Sequence, residues 1–287
     1  MRISINHIKE MKQQGEKIAM LTAYDYITAK VIDKVGIPLI LVGDSLGNVV
    51  LGYESTIPVT MEDMLHHTKA VVRGTKTALI IGDLPFMTYQ ISTENTLYNA
   101  ARLIQEGGAQ AVKLEGGVNI ADKVKKIVEC GIPVMGHIGL TPQSINQLGG
   151  FKVQGQNREA AQKLLDDARA LDTAGAFAVV LETLPSPLAA LISRSINIPT
   201  IGIGAGAGCD GQVQVVSDIL GLFTDFVPKH TRQYTRIANI MSTAITEYYN
   251  DVKNGSFPTE AQSFSMDESI IAKLKKQQSD GSYQNHR

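Results

Sequence analysis

The sequence predicts a single-domain α/β protein, a (β/α)8 TIM barrel, and three observations lead to this fold. Seven short aliphatic runs occur along the 287 residues, and most lack the polar alternation of a half-exposed strand. Helix-length stretches with 3.6-residue periodicity separate the runs. Strict alternation favours parallel strands with right-handed crossovers, and eight units in ~250 residues fit a barrel. A doubly wound open sheet is the alternative.

The individual elements follow from local patterns. Ser92 is a good N-cap type for one helix, and Gly107 and Gly175 are typical helix stops. The predicted helices include 92–106, 120–130, 157–174 and 235–253. The predicted strands are 18–24, 39–43, 78–82, 111–114, 133–136, 177–181 and 199–203, with an eighth around 225–228.

Composition limits the class of protein. The chain is 44% hydrophobic with a net charge of −1, so no basic field indicates a nucleic-acid or membrane partner. No run approaches the ~18 apolar residues of a membrane span, and we expect no secretory signal because residues 1–17 lack an apolar h-region. Two cysteines, Cys130 and Cys209, are too few for a disulfide framework, which favours the cytoplasm. We expect residues 1–264 to form the barrel domain and the polar residues 265–287 to form a mobile tail.

Ionisable residues stand at the ends of five consecutive predicted strands. The carboxyl ends of barrel strands meet at one rim, where active sites are built. Each residue alone could be a helix N-cap, but clustered carboxylates repel one another and are costly to desolvate, so a cation must offset them. The five residues are Asp44, Asp83, Glu115, His137 and Glu182.

The same residues predict a magnesium site. Three carboxylates without a nearby cysteine form an oxygen-rich set, which suits Mg²⁺ or Mn²⁺ better than zinc. Asp44 and Asp83 share the context aliphatic-aliphatic-Gly-Asp and are the expected ligands, with Glu115 as a third. Lys113 lies two residues before Glu115 and points to the same side of its strand. It could neutralise a substrate carboxylate or form a purely structural salt bridge with Glu115.

Other motifs are weaker signals. The loop 139–156 is long for this position and is typical of a substrate cover. The glycine-rich stretch 202–208 fits a relaxed dinucleotide fingerprint, but it follows the seventh strand rather than the first. His66 and His67 are adjacent in a helix and cannot easily share a metal, so we expect a surface or packing role. We expect Asp25 to cap a helix, with a role at the rim as the alternative.

Eight ordered motifs carry a family resemblance. They are LTAYD (21–25), LVGDSLG (41–47), DLPFM (83–87), KLEGG (113–117), GHIGLTPQS (136–144), KVQG (152–155), LE (181–182) and IGIGAG (201–206) with DGQ (210–212). Over about residues 3–264 the chain resembles the ketopantoate hydroxymethyltransferase family. It departs from that family at 261–264, which reads AQSF where many members have a histidine before Ser-Phe, and in the tail.

The resemblance implies a TIM-barrel enzyme of pantothenate synthesis, commonly a homodecamer. Its reaction transfers a hydroxymethyl group from 5,10-methylenetetrahydrofolate, the co-substrate, to 3-methyl-2-oxobutanoate, giving 2-dehydropantoate. Glu182 matches the position of the base that removes the C3 proton, and one Mg²⁺ per subunit stabilises the enolate. The implied metal ligands are Asp44, Asp83 and Glu115, and the implied substrate-binding residues are Asp44, Ser45, Asp83, Lys113 and His137.

Two rival functions remain at the level of sequence. A related Mg²⁺-dependent lyase or mutase of small 2-oxo acids would use the same scaffold. Many such enzymes carry a reactive cysteine on a rim loop, and neither Cys130 nor Cys209 has that setting. A non-catalytic binding protein is the other rival, but loss of catalysis would have allowed the rim acids and Lys113 to drift.

Overall fold

The computed structural model describes residues 2–281, which divide into two compact units. The first extends to Thr235 and the second begins at Arg236. Within the first unit, eight parallel strands form a closed barrel in sequential order, which confirms the predicted TIM barrel. The strands are β1 (Ile18–Thr22), β2 (Leu39–Val42), β3 (Leu79–Asp83), β4 (Ala111–Glu115), β5 (Val134–Gly139), β6 (Ala178–Glu182), β7 (Thr200–Ile203) and β8 (Gly211–Gln214).

Helices follow the strands around the barrel, and the cap that the sequence predicts at Ser92 is confirmed, while α8 has a cap at Asn157. The Ser92 side chain accepts from the amide of Asn95, and the Asn157 side chain accepts from that of Ala160. The helices of the first unit are α1 (Ile5–Gln14), α2 (Tyr26–Val35), α3 (Leu46–Val49), α4 (Met61–Gly74), α5 (Thr93–Gln105), α6 (Ala121–Glu129), α7 (Ile145–Leu148), α8 (Arg158–Thr173), α9 (Ser186–Ser195) and α10 (Val216–Ile219).

The prediction of the eighth strand around 225–228 is wrong. That segment contains no strand and exposes Phe226, whereas β8 lies earlier, directly after the glycine-rich stretch. Gly211 pairs with Ile18 of β1, and a Cβ at Gly211 would overlap the Ile18 carbonyl oxygen. Closure of the ring against β1 therefore sets the position of β8. The sequence GQVQ has no aliphatic run that could indicate this.

The core has two layers, because successive strand residues point to opposite faces. One layer lies between strands and helices and includes Ile40, Ile80 and Val112, all fully buried. The other fills the barrel interior, and it includes Ile8 and Met11 from α1. Since Ile18 at the start of β1 belongs to the interior layer, α1 closes the end of the barrel opposite the predicted site. Full burial of one such side chain stabilises the fold by about 1.5–3 kcal/mol.

The second unit contains α11 (Ile237–Asn254) and α12 (Glu268–Gly281), with one 3₁₀ turn at Glu260–Gln262. The sequence-based helix at 235–253 is confirmed by α11. The domain limits 1–264 and 265–287, and the mobility of the tail, stay predictions, and residues 282–287 of that tail lie outside the described residues. No helix within 2–281 is long and apolar enough to cross a membrane.

Candidate active site

The structure brings the predicted rim residues together at the carboxyl ends of β2 to β6. Asp83 is opposite Lys113 in the β3–β4 register, and Glu115 is opposite His137 in the β4–β5 register. All four of these side chains are buried. The local reason is the strand period, which directs Lys113 and Glu115 to one face, while the fully buried Leu114 between them points to the other face and packs against the helices.

Lys113 is paired with two of the carboxylates. Its ammonium donates to both oxygens of Asp83, each at 2.8 Å, and lies 3.7 Å from Oε1 of Glu115. Burial alone would lower the pKa of Lys113, but the charges of Asp83, Glu115 and Asp44 outweigh it and raise that pKa. Lys113 is therefore a permanent cation inside the cluster.

Asp44 lies beside Asp83. The backbone amide of Asp44 donates to Oδ2 of Asp83 at 3.4 Å, and burial together with the charge of Asp44 raises the pKa of Asp83, so the two carboxylates belong to one group. The next residue, Ser45, hydrogen-bonds through its hydroxyl to the buried Tyr24 hydroxyl at 2.8 Å. Ser45 precedes the short helix α3 and forms no side-chain cap bond, so its hydroxyl is engaged by Tyr24 rather than by the helix.

His137 connects the acids of β4 and β6. Its Nε2 lies 2.8 Å from the Leu140 carbonyl oxygen and 3.3 Å from Oε2 of Glu182. Its Nδ1 lies 3.7 Å from Oε1 of Glu115 and has no hydrogen-bond partner among residues 2–281. The carbonyl requires a proton on Nε2, which leaves Nδ1 as a buried polar atom available to a ligand. The side chain of Glu182 is 16% exposed, so this acid opens toward solvent.

Gln143 is a site residue that the sequence reasoning missed. Its side-chain amide donates to Oδ2 of Asp44 and to the Leu84 carbonyl oxygen, both at 2.9 Å, and its backbone amide donates to Oε2 of Glu115 at 3.1 Å. Its Oε1 accepts from the hydroxyl of the buried Tyr89 at 2.8 Å. The residue lies within the motif GLTPQS, but its place in a loop gave no strand register from which its partners could be predicted.

The cluster carries an excess of negative charge. Asp44, Asp83, Glu115 and Glu182 face one lysine, and only Glu182 is more than slightly exposed. Burial raises the pKa of Asp83 to about 7 despite the opposing effect of Lys113. Burial also raises the pKa of Glu115 well above its ordinary value. A cation bound among these oxygens would relieve that unfavourable ionisation.

The residues fit Mg²⁺, although the described chain does not form a complete cage for it. Within 2–281, no group of three or more His, Cys, Asp or Glu side chains is arranged to hold a metal ion. Mg²⁺ commonly takes one or two protein carboxylates and completes its shell with water and substrate oxygens. The neighbouring Asp44 and Asp83 supply two carboxylates. The oxygens of Asp83 keep lone pairs for a metal beyond those that accept from Lys113. Glu115 as a third ligand stays a prediction.

Backbone strain also marks this rim. Thr183, directly after Glu182, has a positive φ of 52°, and Met87 in the loop after β3 has one of 64°. A β-branched residue in that region costs on the order of 1–3 kcal/mol, and such strain concentrates at functional sites. Backbone bonds from Thr183 to Ile203 and from Gln154 to Thr183 hold the conformation.

The weaker motifs have structural roles. Asp25 caps α2 by accepting from the Thr28 amide at 2.8 Å, and Nδ1 of His67 lies 2.6 Å from the Tyr24 carbonyl oxygen, both as expected. In the stretch 202–208, a Cβ at Gly206 would overlap Ser186, so this glycine admits the close approach of α9.

A cleft of about 1210 Å³ adjoins the acid cluster at Glu115. It lies among the loop after β4, the loop 139–156 and the first turns of α8. The lining residues include Val118, Asn119, Ile138, Gln147, Leu148, Gln154, Arg158 and Leu164.

Fold and site together define a (β/α)8-barrel protein with buried carboxylates, a lysine and a histidine at the carboxyl ends of its strands, where barrel enzymes carry their active sites. The chain belongs to the ketopantoate hydroxymethyltransferase family, whose model matches residues 2–260. The resemblance that the motifs indicated is therefore confirmed.

Two 3-methyl-2-oxobutanoate hydroxymethyltransferases are similar to this chain over almost its whole length. A 3-methyl-2-oxobutanoate hydroxymethyltransferase of Dehalococcoides mccartyi is 67% identical over 276 residues, which cover 96% of this chain and 98% of that protein. The enzyme of the same name from Clostridium botulinum is 57% identical over 274 residues, covering 96% of this chain and all of the other.

Solved structures of low sequence identity share the fold. A phosphonopyruvate hydrolase superimposes with a TM-score of 0.59 at 12% identity and covers 99% of this chain and 100% of its own. A 2,3-dimethylmalate lyase gives a TM-score of 0.57 at 12% identity, covering 96% of this chain and 100% of its own.

Proposed function

We propose that this chain is the hydroxymethyltransferase that converts 3-methyl-2-oxobutanoate to 2-dehydropantoate in pantothenate biosynthesis. The hydroxymethyl group comes from 5,10-methylenetetrahydrofolate, and one water is consumed as tetrahydrofolate is released. The observation that carries the proposal is the pairing of the Asp44–Asp83 group with Lys113, one strand away from the His137–Glu182 pair, in a member of this family.

Substrate binding follows from the charges at the rim. Asp44 and Asp83 would hold one Mg²⁺, which acts as a Lewis acid for the substrate oxygens and for the enolate charge. Lys113 neutralises the substrate carboxylate, and Ser45 binds that carboxylate through its hydroxyl or amide. His137 donates a hydrogen bond to a substrate oxygen. Because the Leu140 carbonyl oxygen takes the proton on Nε2, this bond comes from the unpartnered Nδ1 and requires the imidazolium form, in which both ring nitrogens donate.

Glu182 is the proposed base. It removes the proton from C3 of the oxo acid, and its partial exposure lets the carboxylate reach a bound substrate. The bond from the methylene carbon to N10 of the folate first opens as N10 takes a proton, which leaves an iminium at N5, and the enolate carbon bonds to this methylene carbon. Water then displaces N5, supplies the hydroxyl group of 2-dehydropantoate and releases tetrahydrofolate.

Deuterium exchange tests the first chemical step without folate. In D₂O with Mg²⁺ and 3-methyl-2-oxobutanoate, NMR should show loss of the C3 proton, because enolate formation is reversible. Glu182→Gln should abolish exchange and still bind Mg²⁺ by calorimetry, whereas Asp44→Asn should lose metal binding and exchange together.

Glu129→Gln is the matched control. This exposed glutamate of α6 pairs with Lys126 on the surface, so exchange should stay at the wild-type rate. Absence of exchange in the wild type would refute the enolate mechanism. Metal-independent exchange would refute the role of the two aspartates.

Assembly and location complete the proposal. We place the enzyme in the cytoplasm, supported by two cysteines that are both free, and cell fractionation tests this.

We also propose a homo-oligomer, a decamer by resemblance. Its support is an apolar stripe on α11 at helical spacing, with Met241, Ile245 and Tyr248 exposed. Sedimentation of the 31.0 kDa chain should give ten times that mass, and a monomer would contradict it.

A further inference from the structure

The cleft beside the acid cluster is larger than the oxo acid requires. It measures about 1210 Å³, whereas pockets for whole drug-sized ligands measure ~300–1,000 Å³. Glu115 belongs to both the acid cluster and the lining of the cleft. A second ligand lying in this cleft would therefore have one end next to the acid cluster.

The wall of the cleft rises above the barrel rim. Asp167 in α8 accepts from the Val118 amide at 2.9 Å, which places Asp167 level with the loop that follows β4. Arg158, the first residue of α8, lies nine residues earlier. At 1.5 Å per residue it stands about 13 Å farther along the helix, beyond the rim. The cleft thus extends from Glu115, which belongs to the acid cluster, to Arg158, which lies beyond the rim of the barrel.

Arg158 is an unpaired cation at that distant end. Among residues 2–281 its guanidinium has no hydrogen-bond or ion-pair partner, whereas Lys163 donates to Asp167 at 2.7 Å. Gln162 likewise donates to Asp166 at 2.9 Å. Glu159 is adjacent to Arg158, but consecutive helical residues do not face each other. A ligand carboxylate is the natural partner for this free guanidinium.

The lining between the two ends is mixed. Asn119, Gln147 and Gln154 provide amide groups, while Ile138, Leu148 and Leu164 provide apolar surface. Amides suit the donors and acceptors of a flat heterocycle, and the aliphatic residues suit an aromatic linker. A ligand that fits this lining would place its reactive heterocycle near Glu115, its linker in the middle of the cleft and its carboxylates at Arg158.

We propose that the cleft binds the reduced folate, with its pterin end beside Glu115 and its glutamyl carboxylates paired with Arg158. This rests on the proposed function, because it assigns a place to the donor in that reaction. It makes Arg158 a binding residue for the tail of the donor. Arg158 then acts on affinity and not on the chemical step.

The test removes the guanidinium and, separately, the glutamate. Arg158→Ala should raise KM for 5,10-methylenetetrahydrofolate about tenfold with little change in kcat, because one exposed charged contact is lost. For 5,10-methylenetetrahydropteroate, which lacks the glutamate, wild type and Arg158→Ala should have equal KM. Arg158→Lys should recover part of the loss.

Two further variants complete the design. Arg169→Ala, an exposed arginine on the same helix outside the cleft lining, should behave as wild type. Leu148→Trp, which fills the cleft, should raise KM for both donors. An Arg158→Ala effect that is equal for both donors, or absent, would overturn the inference. Failure of the proposed function is distinct, because the wild type would then form no 2-dehydropantoate from either donor.

Discussion

Gln143 shows how one uncharged side chain organises several charged ones. It donates to Asp44 through its side chain and to Glu115 through its backbone, while Tyr89 donates to its Oε1. Its side-chain amide and its backbone amide are both neutral and each donates to a different carboxylate, so the residue links the two acids without adding a charge. Gln143 is therefore a positioning residue for the proposed metal ligand Asp44.

Replacement of Gln143 should weaken the metal site. In Gln143→Leu, Asp44 and Tyr89 lose a buried partner, so we expect metal affinity to fall roughly 10–100-fold. The free energy of unfolding should fall by about 1–3 kcal/mol. Mn²⁺ titration by electron paramagnetic resonance and urea denaturation measure the two effects. The exposed Gln105→Leu is the control, and unchanged Mn²⁺ affinity in Gln143→Leu would refute the positioning role.

The rim residues were predictable one by one because each occupies a strand end. Asp83 and Lys113 face each other through strand register, which follows from where two aliphatic runs stop. Gln143 was not predictable, because its partners depend on the path of a loop that closes over the barrel. The roles of Ser45 and Glu182 in catalysis stay predictions until the exchange experiment is done.

At the scale of elements, Asp33 joins α2 to the start of β3. Its carboxylate accepts from the backbone amides of Lys76, Thr77 and Ala78, at 2.9, 3.0 and 2.7 Å. Burial would raise the pKa of this carboxyl, but the hydrogen bonds together outweigh it and lower the pKa to about 2. The charged form is therefore the one that holds the two elements together.

Asp33→Asn should lower stability in a pH-dependent way. The folded-state pKa lies below the unfolded value of ~3.9, so the contribution of Asp33 is fully present above about pH 5 and is lost as the pH falls toward 2. We expect a deficit of about 1–2 kcal/mol at pH 7, after allowance for solvent screening, that narrows between pH 5 and 3. Urea denaturation across this range measures it.

Asp225→Asn is the matched control, since this aspartate lies exposed in an irregular segment and should change stability by less than about 0.5 kcal/mol. A deficit in Asp33→Asn that is constant from pH 7 to pH 3 would contradict the assigned role of the charge.

Elements with strong local sequence patterns were predictable, whereas an element defined only by closure of the barrel was not. The first seven strands have aliphatic runs, and α5 and α8 have good caps, so local chemistry specifies them. β8 has two glutamines and one glycine in four residues, and only its pairing with β1 and β7 makes it a strand. No window of the sequence contains that information.

At the scale of the whole molecule, Lys12 links the beginning of the chain to its last strands. Its ammonium donates to the carbonyl oxygens of Ser193, Ile196 and Ile198 at and beyond the end of α9, and lies 3.0 Å from Asp210. Asp210 also accepts from the amide and hydroxyl of the β7 residue Thr200. One cation therefore ties α1 to the closing side of the barrel, where β8 meets β1.

Lys12→Met should destabilise the entire barrel rather than release α1 alone. The side chains of Lys12 and Asp210 are only 16% and 21% exposed, so loss of the cation leaves poorly solvated acceptors and an unpaired carboxylate. We expect the free energy of unfolding to fall by about 2–4 kcal/mol. Lys9→Met on the same helix should change it by less than about 0.5 kcal/mol.

Urea transitions of Lys12→Met followed by circular dichroism and by tyrosine fluorescence should shift together, because ring closure makes every strand depend on its neighbours. A separate early transition would show instead that α1 detaches independently of the ring.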